Sequence, residues 1–336
     1  MSSATRAAAI IAIIIVVVFF AVWITLFPAP IISFTLFGTH HITIGSENPQ
    51  IGSQISYPSD YSTLANYTLS LINSERQSFG LSSVSLSQIQ SAQQHADSML
   101  YYGYFSHWDT QGYKPYMRYT LLGGSGYVEE NIAEETSSAQ FISTPQVEDA
   151  IRFLENQMLY NDSACCQNGH RDNILNPYHN RVSIGIAYSL GRLYFVEDFE
   201  TAYTSSFQTP LLENGIITLQ GNTSEYLSPT QIGIFYDPLP KAISAYTLNQ
   251  NYSRPYGQGQ FIGGVLPPCI AFCEHFTSGA TVYASSWFVG PSSIDISFSL
   301  AQFVQERGSG VYTLYLVQQP QGEPAEYLTS VSIFIT

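Results

Sequence analysis

Two histidine segments carry the side chains with the most chemistry in this 336-residue chain. One is Ser106-His107-Trp108-Asp109; the other is Gly169-His170-Arg171-Asp172-Asn173-Ile174-Leu175-Asn176-Pro177. An imidazole changes charge near neutral pH, so it can carry a proton or, when neutral, ligate a metal ion. Delivered from distant points of the chain, these two suggest a shared site. Glu130-Asn131 lies between them, and Cys165-Cys166 just ahead of the second. That cysteine pair with His170 could supply soft metal ligands or form a vicinal disulfide of a redox type. Structural bridging, locally or across to Cys269 and Cys273, is the favoured reading. His95 reads as an aromatic packed at the edge of a core, and Asp97, Glu148 and Asp172 as solvated or capping charges. His40-His41 reads as solvated stalk.

The elements that must position these residues follow from periodicity. Leu64, Leu71, Ile72 and Phe79 form one helical stripe that stops at Gly80. Ile89, Ala92, Ala96 and Met99 mark a second helix, with Ser87 as N-cap and Gly103 as its end. Residues 103–143 show little period and read as a long loop carrying His107 and Glu130. Thr144-Pro145 opens a third helix, with proline at the first helical position and Val147, Ile151, Leu154 and Met158 on its buried face. Val182–Tyr188 and Leu193–Phe199 read as a hairpin around Leu190-Gly191-Arg192. From about Gln208, short apolar runs recur at 215–219, 231–236, 279–285, 294–300, 310–317 and 328–335. They predict an all-β sandwich or barrel, with Cys269 and Cys273 closing a local loop.

The formal net charge of −14 and the absence of any Lys/Arg cluster oppose nucleic-acid and anionic-lipid partners. Only 11% of residues are charged, while 24 are Tyr and 20 Phe, a composition of rigid extracellular proteins rather than of disordered ones. An even cysteine count, with acceptor tripeptides at Asn66, Asn161, Asn222 and Asn251, fits an oxidising, glycosylating compartment. Residues 7–27 carry no charge, and roughly 20 helical residues span the hydrocarbon core. The run is longer than the about 7–15 residues of a signal-peptide core, so an uncleaved anchor is expected. Arg6 before it, and no basic residue after it until Arg76, place the amino terminus in the cytoplasm. The expected organisation is a cytoplasmic tail (1–6), a transmembrane helix (7–27), an extracellular stalk (28–61) with a short strand near 31–37, an α+β domain (62–204) and a β-rich domain (205–336).

The motif order carries a resemblance. Ser106-His107-Trp108-Asp109-x-x-Gly112, Glu130-Asn131-Ile132-Ala133, Gly169-His170-Arg171-x-Asn173-Ile174-Leu175 and Ser183-Ile184-Gly185-Ile186-Ala187 together resemble the CAP superfamily. This is the cysteine-rich secretory, antigen 5 and pathogenesis-related 1 group, or SCP domain. Asn73-x-x-Arg76-x-x-x-Gly80-Leu81 resembles its first helix, and the Gly-His-Arg form resembles the prokaryotic branch. An anchored copy followed by a β domain resembles archaeal surface proteins. The resemblance implies an α/β/α sandwich and a cleft where two histidines and two acids converge. His107, Glu130 and His170 match family positions. The fourth acid does not align: Glu155 is near, Gln157 may occupy its place, and Asp162 is another candidate.

Two neutral imidazoles and a carboxylate make a recognised zinc set, so the expected metal ligands are His107, His170 and Glu130, with Glu155 or Asp162 as a fourth and Zn or Ca as the ion. Without metal, Glu130 could orient an imidazole acting as general base, with Ser106 as nucleophile. His-Glu-x-x-His and Gly-x-Ser-x-Gly are both absent from the sequence. The favoured function is therefore a non-enzymatic binding or interaction module at the cell surface, taking a protein, lipid or glycan partner. An extracellular peptidase and a structural envelope protein are the alternatives.

Overall fold

The computed structural model describes residues 42–43, 58–138, 141, 143–189, 191–213, 215–224, 227–252, 255–271, 273–319 and 325–336, with backbone alone at 42–43 and 205–213. The expected tail, the span 7–27, the strand near 31–37 and His40-His41 lie outside the described residues. Among the described residues no helix is long and apolar enough to cross a membrane.

The amino-terminal half is built on a four-stranded sheet in the order β2 (Ser85–Leu86), β4 (Arg181–Ser189), β5 (Arg192–Thr201), β3 (Tyr127–Thr136). β4 and β3 flank β5 antiparallel, and β2 joins β4 parallel. Side chains of a strand alternate between faces, and here each face meets helices. Ile184, Ile186, Leu193, Phe195 and Phe199 face α1 (Tyr61–Ser78) and α4 (Thr144–Tyr160), burying Leu64, Ile72, Ile151 and Leu154. Ala187, Tyr194 and Val196 face α2 (Ser91–Tyr102) through Ala92, Ala96 and Met99. Helices on both faces of a mixed sheet give the α/β/α layering. The helix–sheet approach on the α2 side is close: a Cβ built on Gly185 of β4 would stand 2.1 Å from the Ala92 carbonyl oxygen. Gly185→Ala is therefore expected to lose roughly 1–3 kcal/mol of stability through overpacking. An unchanged urea midpoint would show that α2 can move away.

Several boundaries differ from the sequence expectations. The 103–143 stretch is not a loop but contains α3 (Pro115–Leu121) and β3, which places Glu130 on a strand. β3 escapes the alternating pattern because its polar residues are buried too: Glu130 and Asn131 are at most 2% exposed. Ser87 does not cap α2, which starts at Ser91; its hydroxyl accepts from the Ile89 amide. α4 starts at Thr144 itself, with Ser143 at the cap position. Within the expected stalk, β1 (Ile42–Thr43) pairs antiparallel with β15 (Val331–Ile335).

The carboxy-terminal half is a sandwich. One sheet runs β1-β15-β13-β8-β9-β10, with β14 (Glu326–Tyr327) on β13; the other runs β11-β12-β7-β6. Here β6 is Thr204–Glu213, β7 Ile216–Thr223, β8 Pro229–Asp237, β9 Gln260–Leu266, β10 Ala280–Tyr283, β11 Ser286–Val289, β12 Ser293–Ser299 and β13 Gly310–Gln318. Ile217, Leu219, Ile294, Ile296 and Phe298 of the smaller sheet pack on Ile232, Ile234, Leu314, Leu316 and Ile333 of the larger.

The sandwich reaches back into the amino-terminal half. After β8 the chain crosses to α2, where α7 (Ala245–Asn251) buries Leu248 with Ala92, Met99 and Tyr104. Asn249 ties it down, accepting from the Phe105 amide at 2.8 Å and donating to the Gly103 carbonyl at 3.1 Å. Residues 41–336 form one compact unit.

Candidate functional site

The site grows from Glu130 on β3, whose side chain is wholly buried. Its two carboxylate oxygens collect three donors. Oε1 accepts from His107 Nδ1 at 2.9 Å, while Oε2 accepts from His95 Nδ1 at 2.8 Å and Arg118 Nη2 at 2.6 Å. Burial alone would raise the Glu130 pKa, but His95, Arg118 and the hydrogen bonds outweigh it and hold the group well below the usual carboxylate range. His95 is driven the other way from a free imidazole: burial first, then the Arg118 charge, push it down to about 4, so it is neutral at pH 7. Arg118 Nη2 also stands 2.9 Å from the same Nδ1, so the imidazole sits between the carboxylate and the guanidinium that pairs with it.

Arg118, on α3, locks the loop that carries His107. Its Nη1 donates to the His107 carbonyl at 2.8 Å and the Tyr113 carbonyl at 2.9 Å. His107 is thereby fixed at its backbone by a cation and at Nδ1 by the anion paired with that cation.

His170, on the short α6 (Gly169–Ile174), has its own carboxylate. Asp162, 2% exposed, accepts from His170 Nδ1 at 2.6 Å, from the His170 amide at 2.8 Å and from the Arg171 amide at 3.3 Å. A second anchor comes from β3, where Asn131 donates to the His170 carbonyl at 3.2 Å and accepts from Asn173 at 2.9 Å.

His107 and His170 line one cavity of ≈ 280 Å³. Each imidazole has its Nδ1 committed to a carboxylate, which leaves the Nε2 lone pair as its outward group. The carboxy-terminal half completes the walls with Pro255, Tyr256, Gln258 and Tyr315. Tyr256 sits against His107 with ring centroids 4.9 Å apart, and its hydroxyl accepts from the Glu130 amide at 3.1 Å. The Tyr315 hydroxyl is buried without a hydrogen-bond partner.

The expected site residues divide accordingly. His107, Glu130, His170 and Ser106 all line the cleft. Glu130 has both oxygens hydrogen-bonded, and it orients His107. Ser106 is not poised as a nucleophile: its hydroxyl donates to the Tyr252 carbonyl at 2.8 Å and accepts from the Trp108 amide at 3.1 Å. Glu155 does not line the cleft. It projects from α4 into the sheet, fully buried beside Glu75 and Glu197, and burial with the neighbouring Glu197 charge raises its pKa well above the carboxylate range. Asp162 is the carboxylate that touches His170.

Sequence reasoning missed four contributors. His95 is not an edge aromatic but the second imidazole on Glu130. Arg118 lay in the stretch read as loop. Glu129 and His179 form a neighbouring pair, with His179 Nε2 3.1 Å from Glu129 Oε2, and Glu129 also accepts from Tyr127 at 2.8 Å. Burial would raise Glu129, yet His179 and the Tyr127 and Asn176 hydrogen bonds bring it below its ordinary value. The available signal was the spacing of Arg118 and Glu130, opposite charges in a chain poor in charge.

Residues 69–199 match the CAP family model, described as the cysteine-rich secretory protein family. Among solved structures, an extracellular protein containing a SCP domain from Bacillus anthracis str. Ames is 18% identical with a TM-score of 0.31, covering 43% of this chain and 44% of that one. The CAP domain of Enterococcal PrgA is also 18% identical with a TM-score of 0.31, covering 43% of this chain and 63% of that one. This chain thus spans less than two thirds of either structure. No curated protein matches it. Residues 69–199 of this chain are thus a CAP domain.

Proposed function

We propose that this chain is a membrane-anchored, extracellular binding module whose CAP cleft holds a small ligand or a divalent ion between His107 and His170. One observation carries the reading: two imidazoles, each fixed at Nδ1 by a buried carboxylate, line one cleft. Carboxylate-backed histidines are the usual arrangement at metal sites, because the hydrogen bond sets the tautomer and raises ligand basicity. Imidazole donors suit Zn²⁺ better than Ca²⁺, which takes oxygen ligands. A bound zinc ion would supply Lewis acidity to a ligand oxygen. The chain's own residues would orient the two imidazoles through Glu130 and Asp162 and keep the back of the site dry through Tyr256 and Tyr315.

The apolar span 7–27 with Arg6 on its near side supports anchorage with the bulk outside. Local pairing of Cys165 with Cys166 and of Cys269 with Cys273 supports an oxidising compartment. Asn66, Asn161, Asn222 and Asn251 are exposed, as glycan acceptors must be. The partner is an extracellular protein, lipid or glycan that presents a small group to the cleft.

Calorimetric titration of the full chain with Zn²⁺, disulfides intact, tests the site. Saturation at 100 times Kd is expected to add about 2.7 kcal/mol to stability. His107→Ala and His170→Ala should each abolish that gain without unfolding the protein. If both variants bind zinc as the wild type does, the histidine pair is not the site.

A further inference from the structure

Asp162, Cys165, Cys166 and His170 occupy one turn, and their donor atoms all lie within 4.8 Å of one another. The turn is made by α5 (Ser163–Cys166), followed by Gln167 and Asn168 in left-handed conformation at φ 55° and 70°. That reversal brings α6, and with it His170, back onto Asp162. Cys165 Sγ stands 3.5 Å from Asp162 Oδ1. The two sulfurs are joined to each other as a disulfide.

The geometry points to a thiol-gated site for a soft divalent ion, with zinc the fitting metal: closed to metal as the disulfide, open as the dithiol. Thiolate, imidazole and carboxylate are all established zinc donors, and here four of them share one short turn, where the ion would replace the hydrogen bond between Asp162 and His170. Opening needs a dithiol reductant, which transfers two electrons and two protons to Cys165 and Cys166 and leaves as its own disulfide. On binding M²⁺, each thiol releases its proton to solvent as an S–metal bond forms. The site needs no residue of the carboxy-terminal half and does not use His107. It shares His170 with the proposed cleft pair, so filling the turn withdraws that imidazole from the cleft.

The test is a Co²⁺ titration of the full chain reduced with a phosphine, which does not compete for the ion as a thiol would. A single equivalent should produce thiolate-to-cobalt charge-transfer absorption and tetrahedral visible bands, both bleached by Zn²⁺. The oxidised chain should show no thiolate-to-cobalt charge transfer. Cys165→Ser with Cys166→Ser should abolish the bands, whereas Cys269→Ser with Cys273→Ser and His107→Ala should keep them. Asp162→Asn should weaken binding roughly 10–100-fold. A second readout does not depend on the cysteine variants folding: Zn²⁺ should slow alkylation of Cys165 and Cys166 in the reduced wild type, and His170→Ala should remove that protection. No thiolate bands in the reduced wild type, bands that depend on Cys269 and Cys273, or alkylation indifferent to zinc would each overturn the proposal. Loss of zinc binding by oxidised His107→Ala with the cobalt bands intact would leave both sites standing, with His170 shared between them. Failure of the oxidised wild type to bind zinc would count against the cleft pair alone.

Discussion

Glu130→Ala is expected to destabilise the chain by about 3–5 kcal/mol, the largest effect of any single substitution in the cleft. The substitution leaves the buried Arg118 guanidinium without the carboxylate it donates to at 2.6 Å, and strips His95 and His107 of their common acceptor. An uncompensated buried charge costs far more than the net worth of the pair it came from. Asp109 and Asp198 also act on the Arg118 charge, but its short contact is with Glu130. Glu130→Gln should fall between wild type and alanine, since the amide keeps one acceptor for His107 or Arg118. Urea unfolding at pH 7 measures both. A loss below 1 kcal/mol for the alanine variant would mean the cluster is wet rather than dry.

The same cluster gives acid sensitivity with a definite sign. Glu130 is held below its free value, so its contribution is present above the free carboxylate pKa and is lost as pH falls through the lowered folded value. His95, at about 4 folded against 6.5 free, adds a second loss: between those values the unfolded chain binds a proton that the native chain refuses.

Glu197→Gln is expected to do the opposite and stabilise the protein at pH 8, by on the order of 2 kcal/mol. Glu197 lies on the α4 face of β5, fully buried; burial raises its pKa from 4.5 to about 7, while contacts with Glu155 and Asn131 limit the rise. The native state therefore holds a proton that the unfolded state has released. This stability is fully present below pH 4.5 and is lost as pH climbs through about 7. At about 1.4 kcal/mol per pH unit the full swing is roughly 3–4 kcal/mol, and an uncharged isostere removes it. Glu200, likewise raised to about 7, has the same sign, and His95 the opposite one. The difference between variant and wild-type stability curves across pH 5–8 isolates Glu197. Parallel curves would show that Glu197 does not titrate in this range.

This acid layer bears on the cleft. Asn131 donates to Glu197 at 3.2 Å on one side and to the His170 carbonyl at 3.2 Å on the other. Ionisation of Glu197 is thus coupled through one amide to the segment that carries a cleft histidine, whereas the Glu130 cluster fixes the other histidine from the opposite face of the sheet.

Much of this architecture is local and so could be read along the chain. The stripe of Val147, Ile151, Leu154 and Met158 makes α4 because a helix brings every third and fourth side chain to one face. The alternation around Gly191 makes the β4–β5 hairpin because a strand repeats every second residue. His107, Glu130 and His170 were legible as motif residues. What periodicity cannot carry is a buried polar strand: β3 has carboxylates where a core-facing strand ordinarily has valines, and only the partners across the sheet make those positions tolerable. His95 and Arg118 join Glu130 from 35 and 12 residues away, and nothing in local spacing announces that three donors will share two oxygens. The choice of Asp162 over Glu155 was likewise tertiary, because α4 turns Glu155 into the sheet while the left-handed turn at Gln167 and Asn168 returns His170 to Asp162. So was the closure of the cleft by Tyr256 and Tyr315, residues that read from sequence as parts of another domain. Local pattern carried the long helices, the hairpin and the chemical groups, but not α3 or β3; which carboxylate meets which imidazole was settled in three dimensions, because that depends on non-local packing and on the cost of leaving any buried charge unpaired.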